Sequence, residues 1–346
     1  MDTANALLTN LSTKLEKLYP KTTSASTTLT TPLTTIGLLT TTYLAYNATS
    51  FIYQYLRPSS LPKYHHGQPY TTWALITGAS DGIGAGFAEA LLSRGFNVVL
   101  HGRNPTKLAG VQQRLASQFP KAQILTVVAD AGSSSADITS IVTAVSTLPL
   151  TVLINNVGGV PFGEPYDTLE DAEASTVDAL INLNLRFPTQ LTKALLPILQ
   201  KNEPSLVVNI GSGAGEMGLP YLGVYCGSKA FNLRWNQAMK AEMMALGKKV
   251  EMLGILVGNV RSGGNKIGEG FFTCSSLTMA NAALDRVGCG RSSVWGWWRH
   301  GLQFGLIGSI PEGMRLGAAS GMMAERKRQH MEMQSKKVGT EDAMKG

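Results

Sequence analysis

Tyr225 and Lys229 stand four residues apart. On a helix that spacing puts both side chains on one face, where an ammonium can stabilise a phenolate. A phenol whose pKa is drawn from about 10 toward working pH is a usable general acid. The pair is a weak signal by itself, because a chain with ten tyrosines offers many chances for it, although only Tyr225 among them has lysine at i+4.

A second group lies upstream. Thr77, Gly78, Gly82 and Gly84 follow the apolar run WALIT and open a helical stretch, with Ser80, Asp81 and Ile83 between them. Bare backbone amides in such a loop can approach a pyrophosphate at the positive end of the helix; a tight strand-to-helix turn without a ligand is the structural alternative. The next β-like run, NVVLH, ends in His101, Gly102, Arg103 and Asn104. No acid stands there to bond a free ribose 2′-hydroxyl, and Arg103 offers a planar cation where a 2′-phosphate would lie, which favours NADPH over NADH. An exposed surface arginine is the plainer reading of Arg103.

The elements that must position these groups alternate. WALIT, NVVLH, QILTVVAD, TVLINN, SLVVNI and VEMLGILVG are separated by helical stretches over 87–94, 105–118, up to 195, and 224–246. This βαβ rhythm predicts an α/β, Rossmann-type doubly wound parallel sheet with helices on both faces. Beyond Arg261 come a Gly-rich loop, a helix over 277–287, the aromatic run Trp295, Trp297 and Trp298, and a charged tail that is helical or solvated. Phe271, Phe272 and those tryptophans fit an apolar pocket or a core equally well. Four segments follow: a leader over 1–70, a cofactor-binding catalytic domain over 71–262, a substrate-lid extension over 263–315 and the tail over 316–346.

The leader carries a short amphipathic pattern at Leu8, Leu11, Leu15 and Leu18, then no charge from Lys21 to Arg57. Its second half, 36–56, is about long enough to span a bilayer and has Tyr46, Tyr53 and Tyr55 suited to an interface, although Thr, Asn and Gln interrupt it. A transmembrane anchor is expected, with an amphipathic or unstructured leader as the alternative. Apolar residues make up 44% of the 346 and charged residues 15%, which excludes a disordered chain. The net charge of +7 is too diffuse for nucleic-acid binding, and three cysteines without ligand spacing suggest reduced thiols and no structural metal.

Order strengthens the chemistry: the glycine loop, then Asn155-Asn156-Val157-Gly158, Asn184, Ser212, and Tyr225 with Lys229. In this order the chain, over 73–262, resembles the short-chain dehydrogenase/reductase family. The resemblance implies that Ser212 holds a substrate carbonyl, Tyr225 donates the proton, Lys229 lowers its pKa and holds the ribose, and Asn184 anchors a relay water. It also implies that Asp130 contacts adenine and that Asn156, Gly158, Val260 and Ser262 line the cofactor. As plain alternatives, Asp130 suits a helix cap, Ser212 a strand-end turn, Asn184 a helix interior and Lys229 a solvated helix face.

WALITGASDGIG, INLN at 181–184 and the run from NIGSGAG to YCGSK resemble the membrane-anchored branch with very-long-chain 3-oxoacyl-CoA reductases and 17β-hydroxysteroid dehydrogenases. That likeness implies an NADP(H)-dependent reductase of an apolar ketone at the endoplasmic reticulum membrane, its catalytic domain facing the cytosol, with pairing into a homodimer. The same site would serve a specialised-metabolite ketone, and a scaffold that binds cofactor without turnover is a distant alternative. Val257-Gly258 stands where the family has Pro-Gly, and Gly211 where serine is usual.

Overall fold

The computed structural model describes residues 13–14, 25–160, 166–265 and 268–345, and the chain divides into two units at Arg57 and Pro58. The amphipathic pattern at Leu8, Leu11, Leu15 and Leu18 lies outside the described residues.

The first unit contains one long helix, α1 (Ala25–Leu56). Its polar side chains turn back on their own backbone: Thr35 Oγ1 donates to the Thr31 carbonyl (2.9 Å), Thr41 Oγ1 to Gly37 (2.8 Å) and Asn47 Nδ2 to Tyr43 (2.8 Å). The expectation of a transmembrane anchor is corrected here. The helix has the length, but no helix among the described residues is long and apolar enough to cross a membrane, because the threonines and amides dilute its leucines and tyrosines.

In the second unit the apolar runs become strands. β1 (Trp73–Thr77), β2 (Asn97–Gly102), β4 (Leu150–Asn155) and β5 (Ser205–Ile210) are buried at every position, as strands covered on both faces must be. With β3 (Ile124–Val128), β6 (Val250–Leu256) and β9 (Ser293–Trp295) they form a seven-stranded parallel sheet in the order β3-β2-β1-β4-β5-β6-β9. The order reverses between β1 and β4, which opens a crevice at their carboxyl ends. β7 (Asn259–Arg261) and β8 (Thr273–Ser275) pair separately.

The helices are α2 (Gly82–Leu92), α3 (Pro105–Gln118), α4 (Ile138–Val145), α5 (Ala174–Ile181), α6 (Phe187–Lys201) and α7 (Gly223–Ala245). After them come α8 (Ser276–Leu284), α9 (Trp298–Gly308) and α10 (Glu312–Lys345). Phe87 and Leu91 of α2, Leu115 of α3 and Met279 of α8 fill a core on one face of the sheet. Ile141 of α4, Leu191 and Leu195 of α6 and Met243 of α7 fill the other. Side-chain caps start several of these helices: Asn104 accepts the Lys107 amide (2.9 Å), Asp137 that of Ser140 (2.9 Å) and Ser275 that of Thr278 (3.1 Å).

Two segments pack differently from the sequence reading. Within 58–70, assigned there to the leader, Leu61 and Tyr64 are buried in the sheet core. Tyr64 donates to Glu251 Oε2 (2.5 Å), Lys63 Nζ reaches the same oxygen (2.7 Å), and the Gly288 amide donates to Oε1 (2.9 Å). Burial pushes the Glu251 carboxyl up, but the bonds from Lys63 and Tyr64 outweigh it and leave the pKa lowered. Within 263–315, α8 packs on α2 and β9 completes the sheet, so much of that extension is scaffold.

Candidate active site

The glycine loop sits at the crevice. Asp81 Oδ1 accepts the Gly82 amide (2.6 Å) and starts α2. A Cβ on Gly84 would strike the Gly78 carbonyl, so the helix can approach the strand end only as glycine. Thr77 ties the two strands of the crevice together: its Oγ1 donates to the Ile154 carbonyl (3.2 Å) and accepts the amides of Asn156 and Val157 (both 3.0 Å). Asn156 Nδ2 returns a bond to the Thr77 carbonyl (3.0 Å).

Over this loop lies a cavity of about 350 Å³ that brings together Gly78, Asp81, Gly82, Ile83, Asn156, Gly158, Ser212, Tyr225, Lys229, Val260 and Ser262. A smaller one, about 160 Å³, shares Gly78 and Gly158 with it and gathers Ser80, Arg103 and Asp130. Thr77 and Gly84 stand behind the lining and shape it. Asp130 is also a turn residue, its Oδ1 accepting the Gly132 amide (3.0 Å).

Lys229 is 5% exposed, and its Nζ donates to the Ile210 carbonyl (3.2 Å). Burial pushes its pKa down to about 8. The ammonium lies 5.8 Å from the Tyr225 ring centroid. Burial raises the Tyr225 phenol, and a hydrogen bond with the Ser212 side chain pulls the other way. In this arrangement the lysine bonds a backbone carbonyl, and desolvation is the larger influence on the tyrosine. Ser212 Oγ also accepts the Ala214 amide (3.1 Å), holding the turn after β5.

The helical stretch expected up to residue 195 is broken by a π turn, Asn182–Arg186, between α5 and α6. It carries Asn184 inward to 1% exposure. Asn184 Oδ1 accepts the Gly159 amide (3.0 Å) while Nδ2 donates to the Gly159 carbonyl (2.9 Å), a two-point clamp on the loop after β4. Gly158, at φ +154°, has no room for a side chain: a Cβ would lie 2.8 Å from Asn184 Oδ1 and 3.0 Å from Lys229 Nζ.

Sequence reasoning missed three features. Asn232, buried one turn past Lys229, donates Nδ2 to the Asn184 carbonyl (3.2 Å), and only the i+3 spacing hinted at it. His101 is buried against Phe187 (ring centroids 5.1 Å apart) on the wall of the smaller cavity, its pKa pushed down to about 4 by burial. Three asparagines run through the interior beneath the site. Asn155 Nδ2 donates to Asn209 Oδ1 (2.8 Å), Asn209 Nδ2 to Asn236 Oδ1 (2.7 Å), and Asn236 Nδ2 to the Ser292 carbonyl (2.5 Å).

Tyr225 also borders a third cavity, about 270 Å³, lined largely by apolar side chains of α5 and of the 219–224 segment. Tyr225 is thus shared by the glycine-loop cleft and an apolar chamber, which is where a proton donor for a ligand lying between them must stand.

A model of the short chain dehydrogenase family matches residues 72–267. A very-long-chain 3-oxoacyl-CoA reductase of Neurospora crassa is 32% identical over 241 residues, covering 66% of this chain and 70% of that protein. Its namesake in Scheffersomyces stipitis is 35% identical over 196 residues, 54% and 56% of the two chains, so the match spans little more than half of that relative's length. Among solved structures, a short-chain dehydrogenase from Sphingobium yanoikuyae in complex with NADPH is 26% identical with a TM-score of 0.55, covering 70% of this chain and 97% of that one.

Proposed function

The chain belongs to the short chain dehydrogenase family, oxidoreductases acting on CH–OH groups, and on that premise we propose that it reduces the 3-keto group of an acyl thioester with NADPH. One observation carries the reading: Tyr225, hydrogen-bonded to Ser212, is shared by a glycine-lined cleft and an apolar chamber. The relatives' names supply the thioester.

The residues suit a dinucleotide. The loop would close if Gly84 or Gly158 carried a Cβ, and Gly78, Gly82 and Ile83 leave backbone where a pyrophosphate would lie. Arg103 beside Ser80 suits a 2′-phosphate. A bound reduced nicotinamide supplies the hydride. The protein's own part is proton delivery and orientation. Ser212 and Tyr225 converge on one point, so a carbonyl oxygen there accepts from both hydroxyls, and Tyr225 surrenders its proton as charge develops on that oxygen. Because burial raises the phenol, it stays protonated at neutral pH, as a donor must. Lys229 has three N–H donors and spends one on Ile210, leaving others for the cleft it lines.

The test is NADPH oxidation by purified protein with a long-chain 3-oxoacyl-CoA, a 17-ketosteroid and simple ketones. The thioester is expected to give the highest kcat/KM; a preference for the steroid moves the substrate class, and inactivity toward all removes the reading. Arg103→Asp is expected to weaken NADPH about tenfold to a hundredfold relative to NADH, measured as the ratio of their Kd values. An unchanged ratio makes Arg103 a surface charge.

A further inference from the structure

The apolar chamber beside Tyr225 has a lysine against its rim. Leu169, Leu180, Leu219 and Leu222 help line it, and Tyr221 stands on its wall. α10 reaches that wall from the far end of the chain. Ala319 and Met323 are buried, and one turn beyond Met323 comes Lys327. Its Nζ lies 4.7 Å from the Tyr221 ring centroid and donates to the Tyr166 carbonyl (3.3 Å). Those partners fix the ammonium in place without cancelling it, since neither a carbonyl nor a ring face carries a full negative charge. Arg328 is different: its guanidinium is committed to Glu325 (2.8 Å) and Glu332 (3.6 Å).

Among the described residues, the chamber itself offers an anion no cation. Its lining there is largely apolar and contains no lysine or arginine. A ligand that suits both parts is uncharged where it passes through the chamber, reactive where it meets Tyr225 and anionic where it emerges. We propose that Lys327 binds a phosphate of a coenzyme A thioester whose uncharged pantetheine arm occupies the chamber and whose 3-keto group reaches Tyr225. This inference rests on the thioester reading and assigns the head-group site within it. A cation meeting phosphate oxygens forms charge-assisted hydrogen bonds, so affinity here depends on charge more than on shape.

The experiment compares the full chain with Lys327→Glu and Lys327→Arg. Two substrates of equal acyl length are used, the 3-oxoacyl-CoA and its N-acetylcysteamine thioester, which keeps the reacting end and lacks the phosphates. The ratio of kcat/KM between them is expected to fall about tenfold to a hundredfold in Lys327→Glu and to be largely restored by Lys327→Arg. Calorimetric titration of the NADP-loaded protein with free coenzyme A is expected to weaken in parallel. Equal losses on both thioesters would mean that the rim only docks α10, and would overturn the proposal. So would loss of coenzyme A affinity in Lys327→Arg, or unchanged affinity in Lys327→Glu. If the wild type turns over neither thioester, the reductase reading fails, and the coenzyme A titration still decides the rim. NADPH affinity and the melting temperature of each variant separate a folding defect from a lost contact.

Discussion

The cofactor side of the second unit and its C-terminal side are built on different terms. On the cofactor side each functional group is pinned by backbone: Asn156 by Thr77, Asn184 by Gly159, Lys229 by Ile210, with every anchor at a strand end or in the loop after one. On the C-terminal side, α9 turns Trp298, Leu302 and Leu306 outward at 40%, 37% and 60% exposure, and Ile310 and Met314 are also exposed. The first region is over-determined, whereas the second is anchored on one face, by His300 bonded to Gly258 and Phe304 stacked on Trp295, and leaves an apolar face outward. Geometry that must be accurate for proton transfer sits where several hydrogen bonds agree.

The largest test of that contrast removes chemistry without disturbing the scaffold. Tyr225→Phe is expected to lower turnover about 10²- to 10⁴-fold while NADPH binding, followed by fluorescence titration, is retained. Near-normal turnover would take Tyr225 out of the mechanism.

Next in size is a change that attacks the pinning itself. Gly158→Ala pushes a methyl between Asn184 and Lys229 and is expected to destabilise the protein by roughly 1–3 kcal/mol in urea unfolding and to weaken NADPH. If neither changes, the loop is softer than the clamp implies.

A smaller effect follows from the desolvated lysine. The unfolded chain keeps its proton on Lys229 up to about pH 10.5, whereas the folded protein releases it near 8. Between those values the unfolded state binds more protons, so the Lys229 contribution to stability rises with pH by roughly 1–3 kcal/mol. Below pH 8 both states are protonated and the burial penalty is fully present. Lys229→Met is expected to flatten that part of the stability profile of the cofactor-free protein, and an unaltered slope would mean that water reaches the ammonium.

The smallest expected effect lies on the other side. Leu306→Ser, on the exposed face of α9, is expected to change unfolding free energy by less than about 0.5 kcal/mol. A loss of several times that would show the outward face to be packed in solution and would erase the contrast.

The same contrast governs what could be read from the chain beforehand. β1, β2, β4 and β5 announce themselves because a strand buried on both faces must be an unbroken apolar run. The glycine loop and the Tyr225–Lys229 spacing are local patterns, and the structure gathers Ser212, Asn156 and Gly158 with them around one cleft. β9 was hidden, since three residues become a strand only by pairing with β6. The bond from Tyr64 to Glu251 joins positions 187 apart, and no periodicity encodes such a partner. The π turn escaped for a related reason. It interrupts a continuous helical pattern, and the inward turn of Asn184 depends on Gly159 and Asn232 arriving from elsewhere.

The interior row of asparagines limits how this sequence can drift. Each amide gives to the next, from Asn155 through Asn209 to Asn236, so the orientation of one dictates the others. Leucine at Asn209 alone would strand a donor on one side and an acceptor on the other, a penalty of about 1–3 kcal/mol for each orphan. Hydrocarbon at all three together removes the orphans along with the bonds. Change at these positions is therefore expected to be coupled, a replacement at one amide costing less once its neighbour in the row has also been replaced.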